Sequence, residues 1–104
     1  MNQFDVYLVN LDPTVGSEIK KTRPAVIVSP ASINRNLNTV IVAPLTHGVK
    51  GYPSRVASDF QNQTGEIALD QIRSVDKQRL TRRLGNINAQ TASDIKKVLQ
   101  TMFS

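Results

Sequence analysis

Apolar positions fall in short runs broken by polar loops, and the spacing changes character only near the C-terminus. Asp5 to Leu11, Asp-Val-Tyr-Leu-Val-Asn-Leu, suits a pleated surface and stops at the turn pair Asp12-Pro13. Thr14 to Thr22 is a polar loop. Ala25 to Ser29 reads as a buried strand closed by Pro30, and Thr39 to Leu45 as a third strand with Pro44 near its end, where a missing N–H is tolerated. Ala31 to Asn38 is a loop or a single helical turn. Thr46 to Pro53, with two glycines and a proline, is a loop. Ser54 to Ala57 predicts a short fourth strand, Asp59 to Thr64 a polar turn, and Gly65 to Ile72 an alternating fifth strand. Ser74 to Arg79 suggests a helical turn, since Ser74 can cap it and Asp76 suits its first turn. Leu80 to Ile87 predicts a last short strand.

After Asn88, a plausible cap, the period becomes helical: Ala92, Ile95, Val98, Leu99 and Met102 share one face, opposite Lys96, Lys97 and Gln100. Strands first and one helix last predict a single mainly β (α+β) domain over residues 1–104. Its architecture would be a small curled antiparallel sheet or barrel with the helix packed on it.

Composition narrows the chemistry. No apolar run approaches the roughly 20 residues of a membrane span, and Met-Asn-Gln-Phe-Asp is not a secretory signal. The chain has no cysteine and one histidine, His47. That excludes disulfides, thiolate zinc sites and a multi-histidine metal site within one chain, and fits a reducing cytoplasm. A net charge of +5 favours an anionic partner such as nucleic acid or an acidic protein.

The candidate chemistry starts at Arg23. It opens the second strand behind Glu18, Lys20 and Lys21, and Pro24 biases it towards an extended backbone. Either it forms a weak surface ion pair with Glu18, or its forked guanidinium holds a phosphate. Thr46, at the end of the third strand, either forms a turn or donates to a phosphate oxygen. His47 is the one side chain whose ordinary pKa lies near neutrality. Strict alternation sends Asp70 and Gln71 to opposite faces unless the strand kinks, and Asp70 can pair with Arg73. Five of the thirteen basic residues lie between Arg73 and Arg83. With Lys20, Lys21 and Arg23 they can form a solvated face or a basic groove for single-stranded nucleic acid. RNA can be cut without a metal, because its own 2′-hydroxyl attacks once a base, a stabilising cation and a leaving-group acid are in place.

Successive motifs carry a family resemblance: Leu11-Asp12-Pro13-Thr14, Gly16-Ser17-Glu18, Thr22-Arg23-Pro24 running on to Ser29-Pro30, Ala43-Pro44-Leu45-Thr46, Lys50-Gly51-Tyr52-Pro53 and Asp70-Gln71-Ile72-Arg73-Ser74. In this order, over nearly the whole chain, they resemble the MazF/PemK toxins. The resemblance implies an SH3-like β-barrel with a C-terminal helix, a homodimer, and a cognate antitoxin that blocks the groove. It further implies cytoplasmic, metal-independent, sequence-specific cleavage of single-stranded mRNA, leaving 2′,3′-cyclic phosphate and 5′-hydroxyl ends. Arg23, Thr46 and Glu18 match the family's catalytic positions. Ser17, Lys20, Lys21, His47, Asp70, Gln71 and Arg73 fall at RNA-binding positions.

Four residues depart from the family pattern. Phe4 stands where glycine is common, and Ser17 and Ala68 stand where some members have His and Arg. A mechanism using those two side chains therefore does not transfer. His47 replaces a small polar residue. Two other readings remain open: a CcdB-like barrel that poisons gyrase by binding, and a non-catalytic nucleic-acid-binding barrel.

Overall fold

The computed structural model describes residues 1–104. Seven strands and two α-helices follow one another: β1 (Asp5–Asn10), β2 (Thr22–Ile27), α1 (Ala31–Asn36), β3 (Thr39–Thr46), β4 (Arg55–Phe60), β5 (Gln63–Ala68), β6 (Arg73–Asp76), β7 (Leu80–Asn86) and α2 (Ala89–Met102). Short 3₁₀ turns, Leu69–Gln71 and Lys77–Arg79, lie on either side of β6. All pairings are antiparallel, in the order β4-β5-β3-β2-β1-β7.

β3 is the hinge of the sheet. Thr39 to Val42 pair with β6 on one edge, Val42 to Pro44 pair with β2 on the other, and Leu45 and Thr46 then pair with β5. One strand thus serves two differently oriented sets of neighbours, and the sheet curls around it. β4 and β7 end the sheet without pairing with each other. Side chains bridge this seam. The Phe60 ring lies so close to Gly85 that a Cβ there would stand 3.3 Å from it, and Gln61 Nε2 donates to Leu84 O at 3.2 Å.

The curl encloses two apolar clusters. Val6, Val26, Ala43, Ile67 and Leu69 pack with Ile95 of α2, while Val9, Leu11, Ala25, Ile27, Val40 and Val42 fill the other side. Neighbouring residues of β2 serve opposite clusters because successive side chains in a strand point to opposite faces. The cap at Asn88 is as predicted, its side chain accepting from Thr91 N at 2.8 Å. No helix is long and apolar enough to cross a membrane.

Four element readings change. β2 begins at Thr22 rather than Ala25, with Arg23 and Pro24 already opposite Val9 and Leu8 of β1. The predicted polar turn at Asp59–Thr64 shrinks to Gln61-Asn62, both at positive φ, and the flanking residues pair as β4 and β5. The alternating strand Gly65–Ile72 breaks at the 3₁₀ turn after Ala68. The helical turn at Ser74–Arg79 divides into strand β6 and a 3₁₀ turn that Asp76 caps from Gln78 N at 2.8 Å.

Phe4, at the family's glycine position, has φ 71, a left-handed backbone that glycine adopts without strain. Strand β1 still starts at Asp5, so the side chain does not move the strand. Its ring packs against the first cluster and carries Lys96 Nζ 5.5 Å from its centroid.

Candidate active site

Arg23 and Thr46 are set by one strand register. β2 and β3 pair Ala25 with Pro44, and the ladder stops there. Pro24 and Pro44 lack the N–H groups that further rungs would use. Arg23 and Thr46 stand two residues beyond this last pair, one on each strand, in the same alternation as Ala25 and Pro44. Arg23 is half-buried, and its Nε donates to Lys20 O at 3.0 Å. Both terminal nitrogens remain free of protein partners. The expected alternative, an ion pair with Glu18, does not form: the chain's ion pairs join Arg55 to Glu66 and Asp70, and Arg83 to Asp5. Glu18 instead accepts from Val15 N at 2.6 Å through Oε1, bracing its own loop and leaving Oε2 free. Thr46 Oγ1 lies 3.2 Å from Gly48 O and 3.3 Å from Glu66 O. These long contacts leave its proton ready to turn towards a ligand.

Two depressions lie beside this pair. One gathers Glu18, Asp70, Gln71 and Arg73. The kink at Leu69–Gln71 makes this possible, since an unbroken strand would send Asp70 and Gln71 to opposite faces. Gln71 Oε1 accepts from Ile19 N at 3.2 Å and ties the β1–β2 loop to this turn. The other depression brings Thr46 and His47 together with Phe60, Gln63 and Glu66. Ser17, Lys20 and Lys21 are exposed on the β1–β2 loop, and Lys21 adopts φ 71.

The basic run is less free than its charge suggests. Arg73 Nη1 donates to Leu11 O at 3.0 Å, Arg79 Nη1 to Asn10 O at 3.1 Å and also to Asp12 O, and Lys77 Nζ to Asn34 O. Arg83 pairs with Asp5 at 3.2 Å. Four of the five cations therefore hold backbone carbonyls or a carboxylate of the fold. The run is thus partly committed to the fold, and Arg73 donates to Leu11 O rather than pairing with Asp70.

Asp70 pairs with Arg55, a residue the sequence did not single out. Arg55 Nε donates to Asp70 Oδ1 at 2.6 Å, Arg55 Nη2 to Asp70 Oδ2 at 3.1 Å, and Ser54 Oγ to Asp70 Oδ1 at 3.0 Å. Its Nη1 also lies 3.9 Å from Glu66 Oε1, and its guanidinium 5.3 Å from the Tyr52 ring centroid. Glu66 is buried, and its two oxygens accept from Lys50 N and Gly51 N, each at 3.0 Å. Register was the missing signal. Arg55 faces Ala68, so Glu66 and Asp70, two residues to either side of that small side chain, both come within its reach.

These contacts shift three groups. The Lys50 and Gly51 N–H groups, helped by Arg55, hold the Glu66 carboxyl below its ordinary value against the cost of burial. The Arg55 fork does the same for Asp70, and Asp70 in turn raises Arg55. A depressed carboxyl adds stability above its unfolded pKa and loses it as pH falls through the folded one. The urea midpoint is therefore expected to hold steady above about pH 5 and to fall below the ordinary carboxylate range of about 4. Glu66→Gln should flatten that fall.

The family model described as "PemK-like, MazF-like toxin of type II toxin-antitoxin system" matches residues 2–103. The chain belongs to the PemK-like, MazF-like toxins. It is 32% identical to endoribonuclease PemK of Escherichia coli, over all of this chain and 83% of that protein. Among solved structures, MazF of Deinococcus radiodurans superposes with a TM-score of 0.87 at 26% identity, covering 99% of this chain and 96% of the other. A mycobacterial endoribonuclease, solved in complex with its cognate antitoxin, gives 0.83 at 26% identity over 99% and 94%. The expected barrel with a C-terminal helix is thus the MazF fold, here a curled sheet open between β4 and β7.

Proposed function

We propose that the protein is the toxin of a type II toxin–antitoxin pair and cleaves single-stranded mRNA at chosen sequences. One observation carries the site assignment: the β2–β3 ladder stops at Ala25 and Pro44, with Arg23 and Thr46 each two residues further on. The ribose 2′-hydroxyl loses its proton and attacks the adjacent phosphorus. The P–O5′ bond breaks and the 5′-oxygen takes up a proton. The ends are a 2′,3′-cyclic phosphate and a 5′-hydroxyl, and the step needs neither water nor metal. The free terminal nitrogens of Arg23 stabilise the charge that builds on the phosphoryl oxygens. A guanidinium has five N–H donors and no acceptor, which suits it to an electrostatic role rather than to that of the acid. The Thr46 hydroxyl exchanges its long carbonyl contacts for one to the phosphate and orients it. Glu18, with Oε2 free, is the candidate base.

The RNA runs between the β1–β2 loop, with Ser17, Lys20 and Lys21, and the β3–β4 loop, with His47. Gln71 lies beside this path. Asp70 and Arg73 are engaged within the fold and act by shaping the groove. Family membership and the mycobacterial complex support a cognate antitoxin that holds the protein inactive; a homodimer in the cytoplasm belongs to the same proposal. They favour cleavage over gyrase poisoning.

The test is to sequence the 5′ ends of RNA cut by the purified protein in excess chelator and to assay the products for cyclic phosphate. Hydroxyl 5′ ends at a recurring sequence support the reading. Intact RNA, or cleavage that requires added metal, overturns it.

Binding carries its own prediction, measured on 2′-O-methyl RNA, which cannot be cut this way. With Lys20, Lys21 and Arg23 as the phosphate contacts, log affinity against log salt should have a slope of about −2 per protomer. Engagement of every cation in the basic run as well would give about −6.

A further inference from the structure

The two loops that flank Arg23 and Thr46 are tied to the same short piece of chain. On one side, Gln71 accepts from Ile19 N of the β1–β2 loop. On the other, one side chain holds the tip of the β3–β4 loop, since the Lys50 and Gly51 N–H groups both donate to Glu66. Glu66 is 3% exposed, and β5 sets its backbone directly opposite Thr46. Arg55, with a side chain only 8% exposed, reaches Glu66 at one end and Asp70 at the other, and Asp70 adjoins Gln71 in the 3₁₀ turn. A continuous chain of polar contacts therefore runs from one loop, through Glu66, Arg55 and Asp70, to the turn that holds the other. No buried side-chain polar atom lacks a partner.

The expense of this arrangement marks it. A buried carboxylate and guanidinium often stabilise a fold no better than apolar residues of the same volume. Here the carboxylate takes two N–H groups of a glycine-containing loop that has few other anchors. Val49 and Tyr52 of that loop are exposed, so apolar burial adds little, and Tyr52 lies against the Arg55 guanidinium, which is 5.3 Å from the ring centroid.

We propose that Glu66 and Arg55 are positioning residues for the reaction: they fix the β3–β4 loop in its RNA-binding shape beside Thr46, and they act on substrate affinity rather than on the bond-breaking step. The proposal rests on the reading of this groove as the RNA site. Glu66→Gln keeps the volume but replaces one acceptor oxygen with an NH₂ group that opposes a backbone N–H. One loop N–H is then left unpaired and the loop is released, while Arg23 and Thr46 are unchanged.

The test combines kinetics on a short RNA containing the mapped cut site with a spin label on the loop. The chain has no cysteine, so Val49→Cys gives a single attachment point on an exposed residue. In Glu66→Gln, KM should rise about tenfold with kcat within about twofold, and the nitroxide spectrum should show a more mobile loop. Arg55→Lys keeps the cation but loses the fork. It should shift both readouts the same way by a smaller amount, and it serves if Glu66→Gln folds poorly. An unchanged KM with an unchanged spectrum overturns the proposal. So does a fall in kcat at constant KM, which would put Glu66 in the chemistry. Failure of the unsubstituted protein to cut RNA overturns the reading of the groove instead, and the spectrum alone then reports whether Glu66 holds the loop.

Discussion

Arg23→Ala is expected to lower RNA cleavage by about 10²–10³-fold or more while leaving the unfolding curve nearly unchanged. The two effects separate because of what Arg23 touches. Within the protein it makes one side-chain hydrogen bond, from Nε to Lys20 O, at a half-buried position. Losing that contact costs about 0.5 kcal/mol or less, as for most surface substitutions. On the proposed mechanism, the phosphorane loses the guanidinium at the start of β2. Single-turnover cleavage of a matched RNA measures the first effect and urea unfolding the second. Full cleavage by a folded Arg23→Ala protein would remove Arg23 from the mechanism. Arg23→Lys should recover only a small part of the rate, since an ammonium keeps the charge but lacks the fork that grips two oxygens.

The second large effect lies at a residue with no side chain. A Cβ on Gly65 would stand 1.9 Å from Thr46 O and 3.0 Å from Thr46 C. Both atoms belong to backbone, so no rotamer change relieves the overlap, and β5 must move away from the end of β3. Overpacking of this kind costs about 1–3 kcal/mol. In a chain of this size that is a fall in Tm of roughly 4–8 °C per kcal/mol. Thr46 moves with its carbonyl, and a displacement of about 1 Å at a reacting group can cost about 10²-fold in rate. Gly65→Ala is therefore expected to lose activity at temperatures where it is still folded, seen as reduced cleavage by protein with a native circular dichroism spectrum. Normal activity in that folded variant would show that Thr46 does not depend on the close approach of β5.

Both residues show how far sequence reaches. Arg23 and Thr46 could be picked out as candidates because Arg23 precedes Pro24 at a strand start and Thr46 closes a strand two residues after Pro44, and strand ends can be read from local pattern. β1, β3 and α2 were legible for the same reason. Glu66, Arg55 and Gly65 were not, because their roles exist only across strands. Glu66 and Asp70 become one site only when Arg55 is known to face Ala68, and Gly65 matters only because β5 lies against Thr46. The fifth strand was read too long because its alternation continues on paper past Ala68. The consecutive burial of Ile67, Ala68 and Leu69 shows where the chain stops alternating and turns. The basic run was legible as charge but not as contacts. Counting charges does not reveal that Arg73, Lys77 and Arg79 donate to carbonyl groups elsewhere in the chain.

The sheet order also bears on how the toxin comes into being. β1 lies between β2 and β7, so one edge of the first strand stays unpaired until residues 80–86 exist. Ile95, which completes the first apolar cluster, comes later still. Contacts this distant in sequence form late and together. A nascent chain on the ribosome has Arg23 and Thr46 long before it has the finished scaffold that aims them. The candidate site is thus aimed only after residues 80–95 have been made, so its two key side chains wait on a scaffold supplied by a distant part of the chain.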